Sequence, residues 1–152
     1  MIKLSLSAIA LAALMTGCAS VPMANKADDT KFKAFPLPDT GNAGVYVYRD
    51  SIFGSALKKD LWIDGKCLGE SASGVFFYQQ VKGGEDHKIS TESEFSANDL
   101  IVKTDANKNY FIKQYIKAGV FVGGANLEQV PEADGKADVA KLQLAEMGKC
   151  SK

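Results

Sequence analysis

The chain has 152 residues, of which 46% are hydrophobic and 24% charged, with 14 glycines and 4 prolines. This length suits one compact domain, and this composition excludes collagen-like, coiled-coil and wholly disordered chains. Eighteen Lys and Arg residues balance 18 Asp and Glu residues, so the formal net charge is zero. Because no large positive field is available to attract phosphates, no nucleic-acid partner is predicted.

The N-terminal segment has the layout of a secretory signal. One charged residue, Lys3, precedes the apolar run 4–14, and small residues follow that run. A membrane-spanning helix needs roughly 20 apolar residues, about twice what this run supplies. The segment is therefore predicted to direct export and not to remain as a membrane span.

Residues 15–18, Met-Thr-Gly-Cys, resemble the lipobox that ends the signal peptides of bacterial lipoproteins. The resemblance implies cleavage between Gly17 and Cys18, removal of residues 1–17 as the signal peptide, and acyl chains such as palmitate on Cys18. Two or more acyl chains hold a protein stably on a bilayer. The next residue, Ala19, is not Asp, so the resemblance implies sorting to the outer membrane of a Gram-negative bacterium, facing the periplasm. The alternative is a soluble secreted protein, cleaved near Ala19, in which Cys18 is incidental.

Residues 18–42 are predicted to form a lipidated N-terminal tether. They are polar and contain three prolines, a composition typical of flexible linkers. A flexible coil of this length spans ~25 Å root mean square, which lets the domain stand off the lipid surface. Phe32 and Phe35 leave a second possibility open, in which they dock on the domain as the start of its first strand and shorten the tether by about half.

Residues 43–152 are predicted to form a β-sandwich domain with a helical tail. Short runs rich in β-branched and aromatic residues alternate with Gly, Asn and Asp. The loops between them have hairpin length, which predicts a mainly β fold, a small antiparallel sandwich of about seven strands without parallel crossovers. The predicted strands are 45–49, 61–64, 75–81, 87–91, 100–103, 110–116 and 127–130.

Two local signals refine this prediction. Asp64-Gly65 lies between the apolar segments 61–63 and 67–69, and Asp-Gly is typical of a type I′ hairpin turn because both central residues need positive φ. After Pro131, the segment 132–149 loses its β character and is rich in Ala and Leu. This change predicts a short C-terminal helix.

Several blocks of the predicted β-domain carry a family resemblance. In order they are 45–49 (VYVYR), 62–70 (WIDGKCLGE), 74–78 (GVFFY), 83–90 (GGEDHKIS) and 108–113 (KNYFIK). Their order and spacing resemble the bacterial lipoprotein family known as domain of unknown function 2846. The resemblance implies a small periplasmic β-domain behind a lipobox that serves as a tethered binding or structural module. That family has no assigned activity, so the resemblance implies no catalytic residue and no cofactor.

His87 is the only histidine and therefore the only candidate for an imidazole base or metal ligand. Ser90 and Ser93 are close in sequence, but neighbours on one strand alternate between faces and do not assemble a catalytic triad. Glu85 and Asp86 beside His87 lack the repeated spacing of a zinc site. We predict no enzyme activity, no metal site, and a structural role for His87 at the start of a strand.

Arg49 is the only arginine and ends the first predicted strand. A guanidinium presents a rigid fork that fits carboxylates and anionic ligands. Two interpretations stay open: an ordering ion pair with Asp64 or Glu70, or contact with an anionic ligand.

Cys67 and Cys150 remain as a pair once Cys18 is acylated. In an oxidising compartment such a pair favours a disulfide, which would pin the C-terminal helix to the turn after Asp64-Gly65. The alternative is two free or buried thiols.

Two functions are consistent with these features. The first is a non-enzymatic, lipid-anchored envelope module that binds a protein or another envelope component. The alternative is a small-molecule-binding accessory domain whose ligand sits in the open end of the sandwich, near Arg49 and His87.

Overall fold

A computed structural model of the protein describes residues 19–152. The predicted signal peptide 1–17 and the predicted acylation site Cys18 lie outside the described residues. The described part forms, in chain order, α1 (Lys26–Lys33), β1 (Asn42–Arg49), β2 (Lys59–Ile63), β3 (Lys66–Ser71), β4 (Val75–Lys82), β5 (Asp86–Thr91), β6 (Asn98–Lys103), β7 (Asn109–Lys117), β8 (Gly124–Val130), α2 (Glu132–Val139) and β9 (Gln143–Leu144).

The strands form two sheets that face each other. One sheet has five strands in the order β8-β7-β1-β4-β9, and the other has four in the order β3-β2-β5-β6. The predicted mainly β fold is confirmed, and each of the seven predicted strands is present. The apolar segment 67–69, predicted to follow the Asp64-Gly65 turn, lies in strand β3. Strand β9 was not predicted.

Two strand pairs correct the prediction of a purely antiparallel sandwich. β1 runs parallel to β7, with Gly44 opposite Asn109, and β4 runs parallel to β9. Two parallel strands that are neighbours in a sheet need not be consecutive in the chain, so short loops between consecutive strands do not exclude parallel pairs. Between β1 and β7 the chain passes through both sheets, and this path supplies the long connection that parallel pairing requires.

The main core lies between the sheets. Val45 and Val47 of β1 point inward with Arg49, as the two-residue period of a strand requires. A buried polar bridge joins the sheets within this core, where Ser71 donates to the Gln114 side-chain oxygen and Gln114 Nε2 donates to Thr91 Oγ1 at 2.7 Å. The principal apolar members are Val45, Val47, Leu61, Ile63, Leu68, Phe77, Ile89, Val102 and Ile112.

A second core covers the outer face of the five-stranded sheet. Its aromatic members are Tyr46, Tyr48, Phe76, Tyr78 and Phe111. Phe32 of α1 stacks on Tyr78 with ring centroids 4.4 Å apart, and Phe35 packs against Tyr46 at 5.6 Å. Val139 at the end of α2 packs into the same cluster. The fold therefore has three layers, with helices on one face of the sandwich.

Helix α1 corrects the prediction of a flexible tether for residues 19–42. Asn25 caps the helix, since its side-chain oxygen accepts a hydrogen bond from the Asp28 N–H at 2.9 Å. Asp29 accepts the Leu144 N–H at 2.8 Å, and Val21 is buried in the main core. The segment is thus part of the domain, and Phe32 docks from a helix and not from a first strand.

The C-terminal region contains the predicted helix in a shorter form. α2 ends at Val139, and the alternating residues Leu142, Gln143 and Leu144 continue into β9, which pairs with the start of β4. No helix within residues 19–152 is long and apolar enough to cross a membrane.

Candidate functional site

Arg49 and His87, the two predicted ligand contacts, lie at opposite ends of the sandwich. Arg49 is the last residue of β1, whereas His87 contacts Lys82, which pairs with the first residue of β1, Asn42. At about 3.4 Å per residue, the two ends of this strand lie roughly 24 Å apart. The prediction of one ligand site near both residues is therefore wrong.

Arg49 is fully buried and fixes the loop between β1 and β2. Its guanidinium donates to the carbonyl of Leu57 at 2.8 Å and to the carbonyl of Gly54, while its Nε has no partner. Burial lowers the pKa of this guanidinium. The predicted ion pair with Asp64 or Glu70 is wrong, because those carboxylates pair with His87 and Lys58.

His87 bridges the two hairpins at the other end of the domain. It follows the β4–β5 turn, and its Nδ1 lies 2.7 Å from Asp64 Oδ2 while its Nε2 lies 2.8 Å from the Lys82 carbonyl oxygen. Asp64 reaches it from the type I′ turn, where Asp64 and Gly65 have φ of 51° and 75° as predicted. Both partners of the ring only accept hydrogen bonds, so both ring nitrogens donate when the imidazole is protonated.

The contacts of His87 and Asp64 shift both pKa values toward the charged forms. Burial of the imidazole acts to lower its pKa, but the hydrogen bonds to Asp64 and to the Lys82 carbonyl outweigh burial and raise the pKa of His87 above 6.5. For Asp64, burial opposes the shift, and the hydrogen bonds from His87 and the Lys88 N–H lower its pKa below 3.8. The arrangement is a locking ion pair, and neither ring nitrogen contacts a serine hydroxyl.

The His87 ion pair gives a testable pH dependence. A raised pKa in the folded state means that the stabilisation is complete below pH 6.5 and is lost as pH rises through the folded pKa. At pH 6, the free energy of unfolding of His87→Gln is expected to be about 1.5 to 3 kcal/mol lower than that of the parent. Above pH 6, the variant is expected to lack the decrease in this free energy that the parent shows as the pH rises. Urea unfolding from pH 6 to 9 measures both, and an equal slope in the variant would contradict the assignment.

A cleft of about 380 Å³ lies beside His87. Its lining includes Asp64, Lys66, Gln79, Gln80 and Lys82 together with the edge of the disulfide at Cys67. The ring of His87 offers this cleft no free nitrogen, because both nitrogens are occupied. Binding there would depend on the lysine and glutamine side chains. Within residues 19–152, no group of three or more His, Cys, Asp or Glu side chains is arranged to hold a metal ion.

Cys67 and Cys150 are joined in a disulfide in the structure, with Cα atoms 6.0 Å apart. The bridge links β3 to the C-terminal segment, whose next two residues contact the buried carboxylate of Asp60. Ser151 N–H donates to Asp60 Oδ2 at 2.9 Å and Lys152 N–H at 3.1 Å. The end of the chain is therefore fixed to the four-stranded sheet by one covalent bond and several hydrogen bonds.

Three loops meet at the Arg49 end of the sandwich, and sequence reasoning did not assign them a role. They are 50–58, 92–97 and 118–123, and we call them the apical loops. The described chain begins beside them, because the Ala19 N–H donates to the Ser55 carbonyl at 3.0 Å. The available signal was the set of apolar residues flanked by glycine in segments outside the predicted strands, such as Ile52-Phe53-Gly54 and Val120-Phe121-Val122-Gly123.

The fold and these sites define a disulfide-linked, two-sheet β-domain with helices on one face. The family model of a protein of unknown function, DUF2846, matches residues 39–125, more than half of the chain. The chain belongs to this family. It is 59% identical over 139 residues to a protein of Haemophilus influenzae described as uncharacterised, covering 91% of this chain and 82% of that protein. No solved structure matches the chain.

Proposed function

We propose that this protein is a lipid-anchored lipoprotein of the outer membrane, facing the periplasm, which acts as a non-enzymatic binding or structural module of the cell envelope. The observation that carries the proposal is Met-Thr-Gly-Cys at residues 15–18, at the end of an apolar segment too short to span a membrane. Cys18 would then receive the acyl chains, with cleavage after Gly17.

One structural feature supports an envelope location. The disulfide between Cys67 and Cys150 suits an oxidising compartment such as the periplasm. Ala19, which would follow the acylated cysteine directly, is already hydrogen-bonded to the folded domain. A rigid β-domain with occupied ionisable groups at its His87 end suits binding or scaffolding better than catalysis.

Replacement of the acylated cysteine tests the anchor. In cells fed radiolabelled palmitate, the parent chain is expected to carry label and to sediment with outer-membrane fractions on a density gradient. Cys18→Ser is expected to carry no label and to leave that fraction. Ser20→Ala is the matched control, because it alters a neighbouring exposed position and keeps the lipobox. A Cys18→Ser protein that stays in the outer membrane would overturn the proposal.

The cleft beside His87 favours a second candidate function, binding of a small polar ligand. Lys66 and Lys82 line it together with Gln79 and Gln80, which would suit an anionic or hydrogen-bonding molecule. Thermal shifts across a metabolite panel would support this function if Lys66→Ala removed them. A specific envelope protein recovered after crosslinking would instead support the first.

A further inference from the structure

Exposed apolar side chains are concentrated on the apical loops. Among residues 19–152, ten large hydrophobic residues are exposed, and six of them lie on these three loops. Their exposed fractions run from 53% to 85%. A patch of exposed apolar residues is informative, whereas single exposed residues are not. The six are Ile52, Phe53, Phe95, Val120, Phe121 and Val122.

Contacts join the three apical loops that carry these side chains. Phe95 and Phe121 meet edge to face, with ring centroids 6.3 Å apart. Loop 50–58 contacts loop 118–123 so closely that a Cβ on Gly123 would lie 2.5 Å from Leu57 Cδ1. Contiguous apolar surfaces of this kind mark contacts with proteins or membranes.

Hydrogen bonds hold the apical loops in place. The carboxylate of Glu94 accepts the backbone N–H groups of Val120, Phe121 and Val122, which fixes the tip of the third loop. Arg49 fixes the first loop by donating hydrogen bonds to the carbonyls of Leu57 and Gly54. The apolar tips are thus presented by ordered backbone.

The charges carried by the apical loops are already engaged. Asp50 pairs with Lys113 at 2.7 Å, Lys58 pairs with Glu70, and Glu92 pairs with Lys152. Glu94 keeps its negative charge, because the hydrogen bonds from the Phe121, Val120 and Val122 N–H groups lower its pKa. Among the carboxylates of these loops, only Glu94 has no ion pair with a described residue, and it faces three backbone N–H groups.

Lys117 adds a cation beside the apolar tips. It is exposed, lines the groove of about 310 Å³ between Phe53 and Phe121, and forms no ion pair with the described residues. A lysine stem can lie along apolar surface while its ammonium reaches a lipid phosphate.

The start of the described chain identifies the occupant of this surface. Ala19 is hydrogen-bonded to Ser55 of the first apical loop, and in the proposed lipoprotein Ala19 directly follows the acylated Cys18 in the chain. Acyl chains on Cys18 would enter the bilayer directly beside the apical loops. We infer that the apical loops rest in the interfacial region of the membrane that holds the acyl chains, so that the domain lies against the lipid in one orientation.

This inference rests on the proposed function, because it requires the acylated Cys18. It differs from the predicted flexible tether, since residues 19–42 are folded onto the sandwich. A second copy of the chain or an envelope protein could cover the same apolar surface in place of the membrane. The experiment below distinguishes these two occupants from lipid.

Single-tryptophan variants of the full lipidated protein test the inference. In a Trp62→Phe background, Phe53→Trp and Phe121→Trp place a reporter on two apical loops. Leu37→Trp is the matched control, because Leu37 is 75% exposed, close to the 82% of Phe121, but follows Pro36, whose carbonyl is bound at the opposite end by Asn109. Each variant is reconstituted into phosphatidylethanolamine–phosphatidylglycerol vesicles with and without brominated acyl chains, and its thermal unfolding is compared with that of the parent.

The brominated lipid is expected to lower the emission at positions 53 and 121 at least twofold and to leave position 37 unchanged. The inference would be overturned if the tryptophan emission were the same with and without brominated lipid at all three positions, while palmitate-labelled protein still floated with the vesicles. That result would leave the proposed lipid anchor intact. A blue shift at 53 and 121 without quenching would also overturn it, because protein would then cover the loops. Absence of palmitate label would overturn the proposed function and the inference together.

Discussion

Removal of the disulfide is expected to lower the free energy of unfolding by about 4 to 5 kcal/mol, because the bridge restricts the unfolded chain. Cys67 and Cys150 are 83 residues apart in sequence, so the bond closes a loop that covers most of the domain. In the chain-entropy model, a loop of this length contributes a large share of the stability that a small domain possesses. Urea unfolding of Cys67→Ala/Cys150→Ala beside the oxidised parent measures the difference.

The disulfide also supports a set of hydrogen bonds that depend on the position of the C-terminal segment. Asp60 is fully buried and accepts hydrogen bonds from Ser151 and Lys152. Ser151→Ala is the matched control, since it keeps the disulfide and removes one hydrogen bond, for a loss of about 1 kcal/mol. A loss below about 1 kcal/mol in the double variant would contradict a constraint by the disulfide.

The strands of this fold could be predicted because their signal is local. The run Val45 to Arg49 alternates inward and outward side chains, and both faces are apolar since one faces the other sheet and one faces the helices. The Asp64-Gly65 turn was equally predictable, because the type I′ geometry demands positive φ that few residue pairs tolerate. These features depend on residues close together in sequence.

The features that were missed depend on distant contacts. Helix α1 has a charged, weakly apolar sequence, and it is held by the contacts of Phe32 with Tyr78 and of Asp29 with the Leu144 N–H. Only the tertiary structure brings these partners together, although Asn25 before Asp28 was an available capping signal. The parallel neighbours of β1 and β4 were missed for the same reason.

The prediction of a ligand site near Arg49 and His87 was wrong because the sequence does not show which groups these side chains contact. Arg49 was predicted to meet a carboxylate or an anionic ligand because guanidinium groups commonly do, but its strand directs it into the core, where the partners are carbonyls. His87 was expected to be structural, and the structure gives it Asp64 and Lys82 as partners. Residue type indicated the chemistry in both cases, while topology selected the partner.

Replacement of Arg49 by Ala is expected to lower the free energy of unfolding by about 3 to 5 kcal/mol. Two effects add to this loss. The carbonyls of Gly54 and Leu57 lose guanidinium donors, and the missing side chain leaves a cavity at a fully buried position. One effect opposes it, because the buried cation no longer has to be desolvated, but the loop carbonyls and the cavity outweigh that gain.

Arg49→Met separates these contributions. Methionine fills much of the volume and carries no donor, so the loss relative to the parent reports the hydrogen bonds net of desolvation and is expected to be about 1 to 3 kcal/mol. Arg49→Lys should fall between Met and the parent, because one ammonium cannot reproduce a planar fork that spans two carbonyls. Lys66→Ala, at an exposed position, is the control and should stay within about 0.5 kcal/mol.

Hydrogen exchange locates the effect of the Arg49 variants in the first apical loop. The N–H of Ser55 donates to Ile52 and the N–H of Leu57 donates to Gly54, so both amides report whether the loop keeps its shape. Both should exchange faster in Arg49→Ala and Arg49→Met, and amides of the Asp64 turn should not change because that turn lies at the other end of the sandwich. An Arg49→Ala protein within about 1 kcal/mol of the parent, with unchanged exchange at both amides, would show that the guanidinium does not organise this loop.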